Sequence, residues 1–442
     1  MKYSKKYINL EEGLKREWIV TNGIGGYASS TIIGCNTRKY HGLLVVPLTP
    51  PARRFLVLSK IDESIEIEGT KYNLYTNMSK NYISDGYKYQ ETFEKNYIPI
   101  FSYDVEDTQI TKSICMKYME NTVCILYKIK NGKKHAKMTL APIVNFRDFH
   151  KMNTEHEYNL KQEIRGRKVK VILDNNSQTP IYLYSNTGSY IEHENDNFKN
   201  MFYIEEEKRG FFPEEDHAVC GRYEIDLQPN EEKEISIICS LEENIEEIDI
   251  NKVITHEVSR INKIIQQSGL ITKRDEKLGK INKELNKDKE YNELIKDYII
   301  ATDNFVVYRP SFGLHTLIAG YHWFLDWGRD ALIAFEGIVL IPKRYDIAKE
   351  ILLTFTKNIK FGLVPNGYSG FDNRPLYNSV DASLLLFEQI IKYIKYTNDY
   401  EFIKEKLYDI LKNIIDSYIN GINLDNNNIY LDSDYLLVSR NT

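Results

Sequence analysis

Up to about residue 240, apolar residues come in short runs that alternate with polar ones or sit between turn signals. Examples are His41–Leu48, Phe55–Ser59, Thr122–Lys130, Lys137–Val144, Lys168–Leu173, Ile181–Tyr184 and Lys233–Ser240. Such runs are strand-length, and the Asn-Gly, Glu-Gly and Gln-Pro-Asn signals between them predict an antiparallel β-sandwich over 1–240. Asn131-Gly132, lying between two of the runs, reads as a hairpin turn. From Leu241 the texture becomes charge-rich and helical, with Ile245, Ile248, Val253 and Ile254 near a 3.6-residue period. The polar stretch Lys273–Asn286 then reads as a linker, so 241–288 is predicted to be a helical connection between domains.

Beyond it, over 289–442, the period stays helical. Leu294, Ile295, Tyr298, Ile299 and Thr302 fit one helix face. Asp330–Ile341 is apolar on every side except Asp330 and Glu336, the pattern of an inner helix. Ile347, Ile351, Leu352, Phe355 and Ile359 fit an amphipathic outer helix, and Asp381–Tyr396 repeats the inner character with Asp381 as its N-cap. Phe402, Leu407, Leu411, Ile414, Ile415 and Tyr418 fit a second outer helix. Inner and outer helices in alternation predict part of an (α/α) barrel, which makes the fold class α+β multidomain.

Composition removes several function classes. The net charge of −5 leaves no electrostatic footprint for nucleic acid or an anionic membrane. Cys35, Cys115, Cys124, Cys220 and Cys239 form no CxxC pair, which suits buried thiols in a reducing compartment. The start, Met1-Lys2-Tyr3-Ser4-Lys5-Lys6, leads into polar sequence and not into a signal-peptide core, so a cytoplasmic location is expected. The nine histidines offer no HExxH or CxxC partner, so neither a metal nor any other cofactor is expected.

The densest chemistry lies in Tyr321-His322-Trp323-Phe324-Leu325-Asp326-Trp327-Gly328-Arg329-Asp330. Indole faces can stack on the C–H faces of a sugar ring, while Arg and Asp grip its hydroxyls. Trp323, Asp326, Trp327, Arg329 and Asp330 are therefore candidate sugar contacts. The alternative is a buried Arg–Asp ion pair that caps a helix, with the indoles as core. Asn366, in Leu363–Tyr368, and Tyr377, Asn378 and Asp381, in Arg374–Asp381, recur at the same end of the next helical hairpin and join the candidates. Elsewhere the signals are weaker. The glycines of Thr21–Ser30 do not form a nucleotide loop, lacking both a Walker lysine and a GxGxxG spacing, and read as tight turns. His41 is as consistent with a structural role as with ligation. Asp62-Glu63 and Glu11-Glu12, neighbours in a polar setting, face opposite ways on a strand and make poor catalytic pairs.

Residues 17–63 (EWIVTNGIGGYASSTIIGCNTRKYHGLLVVPLTPPARRFLVLSKIDE) resemble the N-terminal domain of the bacterial and archaeal type of glycogen debranching enzyme. Residues 319–390, from AGYHWFLDWGRDALIAFEG to YNSVDASLLLFEQI, resemble the start of that family's amylo-α-1,6-glucosidase domain. The resemblance implies a β-sandwich followed by a partial (α/α)6 barrel, with glycogen or another branched α-glucan as the partner. The implied reaction is inverting hydrolysis of α-1,6-linked glucose at branch points. It needs two carboxyl groups roughly 6.5–9.5 Å apart, one protonating the leaving oxygen and one activating water. In the family the acid is the Asp of a Thr-Trp-Met-Asp segment and the base a Glu near the far C-terminus. Neither is matched here before the final Leu437–Thr442, so no catalytic residue is carried over. Asp330 is the fallback acid, and the 442-residue chain alone is expected to be inactive. Two alternatives stay open: a non-catalytic α-glucan-binding protein or fragment, and 4-α-glucanotransferase activity.

Overall fold

Alternating β-branched residues build the N-terminal half into two antiparallel sheets. The computed structural model describes residues 1–154, 158–271, 282–369, 374–424 and 427–441. These divide into two units, one comprising 1–48 and 54–258, the other 49–53 and 259–442. In the first unit a nine-stranded sheet runs in the order 2–4, 90–95, 99–105, 108–116, 122–130, 232–240, 176–185, 168–173, 160–165. The second sheet orders its strands 189–202, 214–227, 136–148, 52–67, 42–49, 27–31, 17–21. Between the sheets lies one core that includes Trp18, Leu44, Val57, Ile65, Phe93, Ile125, Met138, Tyr223 and Ile237. The outer face of the nine-stranded sheet is covered separately: Cys124, Leu126, Tyr182 and Ile238 meet Ile245 and Ile250. All five cysteines are buried thiols, and none forms a disulfide.

Asn131-Gly132 is not a hairpin turn. Strand Thr122–Lys130 pairs with Glu232–Ser240, whereas Ala136–Asp148 pairs with strands of the other sheet. The turn carries the chain across the sandwich. Asn131 fastens it by donating to the carbonyls of Lys134 (2.9 Å) and Gln228 (2.8 Å) and accepting from the Thr108 hydroxyl (2.9 Å). Nor is Asp62-Glu63 in a polar setting. Glu63 is buried between the sheets on Lys112 and on the Tyr127 hydroxyl, while Asp62 accepts from Asn77 at 2.7 Å. His41 is fully buried, and its Nδ1 accepts from the Thr37 N–H at 3.1 Å. Around Gly23–Gly26, the Asn22 side-chain oxygen accepts from the N–H groups of Ile24 and Gly26, which is a tight turn.

A buried polar chain crosses the second sheet. Arg147 grips Glu215 in a two-pronged pair, with Nη2 2.8 Å from Oε2. The Tyr203 hydroxyl donates to Glu215 at 2.7 Å and lies 3.0 Å from His217 Nε2. Asn145 Nδ2 lies 3.0 Å from His217 Nδ1, and Tyr158 donates to the Asn145 oxygen. The amide therefore donates to Nδ1, which leaves the proton of the neutral ring on Nε2. Burial pushes the His217 pKa down to about 4 despite the neighbouring Glu215 carboxylate.

In the second unit, helix α1 (Ile250–Ser268), within which the boundary between units falls, is followed by α2 (Asn282–Asp303). Then come α3 (Gly328–Phe335), continued as a π-helical turn over Glu336–Leu340, and α4 (Tyr345–Thr356). Helices α5 (Asp381–Thr397) and α6 (Tyr408–Asn420) complete the set. Each buries one stripe. On α4 it is Ala348, Ile351, Leu352 and Phe355; on α5 it is Ala382, Leu386, Ile390 and Tyr393. One core joins these to Ala331, Leu332 and Phe335 of α3 and to Ile414 and Tyr418 of α6.

Three expectations for the helices need correction. Helix α3 is not buried all round, because Ile333 is 63% exposed. On α2 the buried apolar positions among the described residues are Ile299 and Ile300, while Leu294 and Tyr298 face out. At the start of α5 the N-cap is Val380, and Asp381 is its first residue. The Asp381 carboxylate takes the Ser379 hydroxyl and the Arg329 guanidinium in place of backbone N–H groups.

The His217 arrangement generates a pH prediction. Its folded pKa lies below the ordinary 6.5, so the unfolded chain binds more protons between those values. Its contribution, on the order of 3 kcal/mol, is present above pH 6.5 and is lost as pH falls through 6.5 toward 4. Urea unfolding of the sandwich should show this loss, and His217→Gln should flatten the profile in that window. An unchanged slope in the variant would contradict the assignment.

Candidate functional site

The segment ahead of α3 is folded on itself before it meets anything else. Ala319 N–H donates to the Leu325 carbonyl (2.8 Å) and Phe324 N–H to Gly320 (2.9 Å). Asp326 is buried at the centre of this loop, 1% exposed, and pairs at 2.7 Å with the fully buried Arg309. Burial holds the Asp326 carboxyl above its usual range, and the Arg309 guanidinium offsets only part of that shift. Arg309 in turn lies 4.4 Å from the Tyr368 ring centroid and 4.8 Å from that of Phe312. A charge so enclosed is a support for the loop and is not open to a ligand.

Asn366 links this segment to the next hairpin's loop. Its carbonyl accepts from Gly328 N–H at 2.6 Å, and its side-chain oxygen accepts from Arg329 N–H at 3.3 Å. Its amide group donates to Asn378 Oδ1 at 3.2 Å, and its own N–H donates to the Leu376 carbonyl at 2.8 Å. Two of the N–H groups that a helix start leaves without an intrahelical partner are thus satisfied by one residue of another loop. The approach needs glycine at 328, where a methyl group would lie 2.5 Å from the Pro365 carbonyl oxygen.

Across this clamp, Arg329 Nε lies 2.8 Å from Asp381 Oδ2, and the two side chains are 50% and 46% exposed. Partial burial opposes ionisation of Asp381, but the Ser379 hydroxyl and Arg329 hold its carboxyl below the usual range. Asp330 is exposed, and its side chain makes no hydrogen bond among the described residues. Trp323 and Trp327 are both part-buried, Trp323 with its ring edge toward Phe324 at 6.1 Å between centroids. Tyr377 spends its hydroxyl on the Asn358 carbonyl at 2.6 Å.

The nine candidates therefore separate by what they touch. Arg329, Asp330 and Asn378 are exposed, Asp381 is half-exposed beside Arg329, and Trp323 and Trp327 are part-buried. Asn366, Tyr377 and Asp326 are engaged in holding the loops. Arg309 and Ser379 were not anticipated. An arginine within Val306–Arg309, a short strand, carries no local signal of its partner.

The chain is thus a two-part protein, antiparallel sheets followed by a helical unit, with aromatic residues and the Arg329–Asp381 pair at the start of α3. The chain belongs to the glycogen debranching enzyme family. Residues 16–234 match the glycogen debranching enzyme N-terminal domain, and residues 300–442 match the amylo-α-1,6-glucosidase domain. The chain is 34% identical over 93 residues to a glycogen debranching enzyme of Saccharomyces cerevisiae, an overlap of 21% of this chain and 6% of that protein. Among solved structures, a bacterial glucoamylase complexed with acarbose superposes with a TM-score of 0.48 at 14% identity, covering 96% of this chain and 58% of its own. A putative kojibiose phosphorylase from the human microbiome gives 0.40 at 11% identity, with 95% and 55% coverage. The chain thus spans little more than half the length of these structures. No helix among the described residues is long and apolar enough to cross a membrane.

The clamp yields a stability prediction. Gly328→Ala should destabilise the helical unit by about 1–3 kcal/mol, since the methyl must push the Pro365 carbonyl away and break the Asn366 bond. Gly337→Ala, where nothing lies within 4 Å, should change it by less than about 1 kcal/mol. Thermal unfolding followed by circular dichroism compares them, and equal effects would remove the clamp from the account.

Proposed function

We propose that the cluster of Arg329, Asp330, Asn378 and Asp381, with Trp323 and Trp327 as walls, binds a terminal glucosyl unit of glycogen or a related branched α-glucan. The observation that carries the reading is the half-exposed Arg329–Asp381 pair. A charged fork fixed by Asn366, yet still open to solvent, is preorganised to take vicinal hydroxyls. Its remaining guanidinium donors, and the Asp381 lone pairs not taken by Ser379 and Arg329, offer complementary contacts, and the indoles supply the apolar face that a pyranose needs. The family's domain name supplies the reaction that such binding serves: hydrolysis of an α-1,6-linked glucose.

The same residues limit the chemistry. Asp381, held ionised by Ser379 and Arg329, is unsuited to donate a proton at neutral pH. Asp330 is the remaining acidic candidate on this face. An inverting site needs a second carboxyl across a water-sized gap, and none is assigned among the described residues. We therefore take this chain to supply glucan recognition and to turn over slowly or not at all on its own, because acid–base assistance is worth about 10²–10⁴-fold.

The test pairs binding with turnover. Isothermal titration with maltotriose should show binding that Arg329→Ala weakens at least about tenfold, the worth of one charge-assisted contact. Glucose release from a limit dextrin should stay at background. Robust release abolished by Asp330→Asn would instead make Asp330 the general acid, and undiminished binding by Arg329→Ala would remove the sugar site.

A further inference from the structure

A concavity lies beside the loop that carries Asn366. It is an open cavity of about 350 Å³, lined by Phe361, Gly421 and Ile422 and by a polar set, Asn413, Asp416, Ser417, Asn420 and Asn423. That volume falls at the lower end of small-molecule pockets, which run to about 300–1,000 Å³. Asn413, Asp416, Ser417 and Asn420 stand at i, i+3, i+4 and i+7 on α6, so the helix turns one face into the cavity. The side chains of Asn413, Asp416, Asn420 and Asn423 make no hydrogen bond among the described residues.

Phe361 forms the apolar wall and is 62% exposed, with the Lys360 ammonium 5.8 Å from its ring centroid. Its place is fixed by the backbone. Phe361 and Gly362 both sit at positive φ (49° and 77°), and Lys360 and Leu363 exchange hydrogen bonds of 3.1 and 3.0 Å. A methyl at Gly362 would lie 2.5 Å from Ser417 Cβ, so this loop rests directly on α6. Ser383 Oγ donates to the Gly362 carbonyl (3.0 Å), and Tyr418 donates to the Val380 carbonyl (2.7 Å), which ties the cavity's floor to the start of α5.

The lining selects a ligand class. One carboxylate is too little for a divalent cation, which takes six or more oxygens, and it repels phosphate. Three amides, a carboxylate and the accepting side of the Ser417 hydroxyl, whose proton goes to the Asn413 carbonyl at 2.7 Å, lie beside one aromatic ring and suit a neutral polyol whose hydroxyls both donate and accept. We propose that this cavity is a second glucosyl-binding site, which holds another chain of the branched glucan while the Arg329 cluster holds a terminal unit. The proposal rests on the glucan reading of that cluster. Two sites on one polymer raise avidity without new contacts at either.

The experiment measures affinity of the full chain for glycogen by native affinity electrophoresis and for maltotriose by titration, alongside Phe361→Ala, Asn420→Ala and Arg329→Ala. Both cavity positions are exposed, and unchanged melting temperatures confirm folding. Phe361→Ala and Asn420→Ala should each weaken glycogen binding about tenfold. If both bind glycogen as the parent does while Arg329→Ala does not, the cavity proposal falls and the cluster reading stands. If the cavity variants lose glycogen while Arg329→Ala keeps it, the cavity stands and the cluster reading falls. A parent chain that ignores glycogen overturns both.

Discussion

The hydrogen bond from Gly328 N–H to the Asn366 carbonyl is the constraint on which the candidate site depends. At 2.6 Å it joins the start of α3 to the loop before α5, and no residue with a Cβ fits at 328 without displacing Pro365. Once the bond is made, Asn366's side chain also reaches Arg329 N–H and Asn378, so three segments are fixed relative to one another. The Arg329–Asp381 pair then follows from position. An exposed ion pair of this kind contributes little stability of its own, about 0–1 kcal/mol. Its geometry is maintained by the backbone clamp beneath it, and both side chains stay about half exposed.

The clamp has its own support. Asp326 and Arg309, both buried, hold the loop that delivers Gly328, with Tyr368 and Phe312 against the guanidinium. Such a pair owes its persistence to enclosure, and removing one partner would strand the other charge at a cost of about 3–5 kcal/mol. The layers therefore run from the buried ion pair, through the backbone clamp, to the half-exposed pair.

Much of this was legible in the sequence where the signal is local. The change from period 2 to period 3.6 near Leu241 marks the passage from antiparallel sheets to helices, and Ile351, Leu352 and Phe355 follow their predicted stripe. What could not be read depends on partners distant in sequence. Asn131-Gly132 has hairpin chemistry, but the strand pairs available on either side send it across the sandwich. Asp381 has N-cap chemistry, but Arg329 and Ser379 take its carboxylate. The motif Trp327-Gly328-Arg329-Asp330 reads equally as sugar contacts or as a helix-capping ion pair. It does not reveal that Asp326, two residues before Gly328, serves a buried arginine from a separate strand.

A crystal structure of this chain with a maltooligosaccharide bearing a single α-1,6-linked glucose tests the central claim most directly. The account predicts a glucosyl ring against Trp327 or Trp323, its hydroxyls within 3.2 Å of Arg329 and of Asp330 or Asp381, and the Gly328–Asn366 bond unchanged. A sugar bound elsewhere while the Arg329–Asp381 pair remains unoccupied would contradict it.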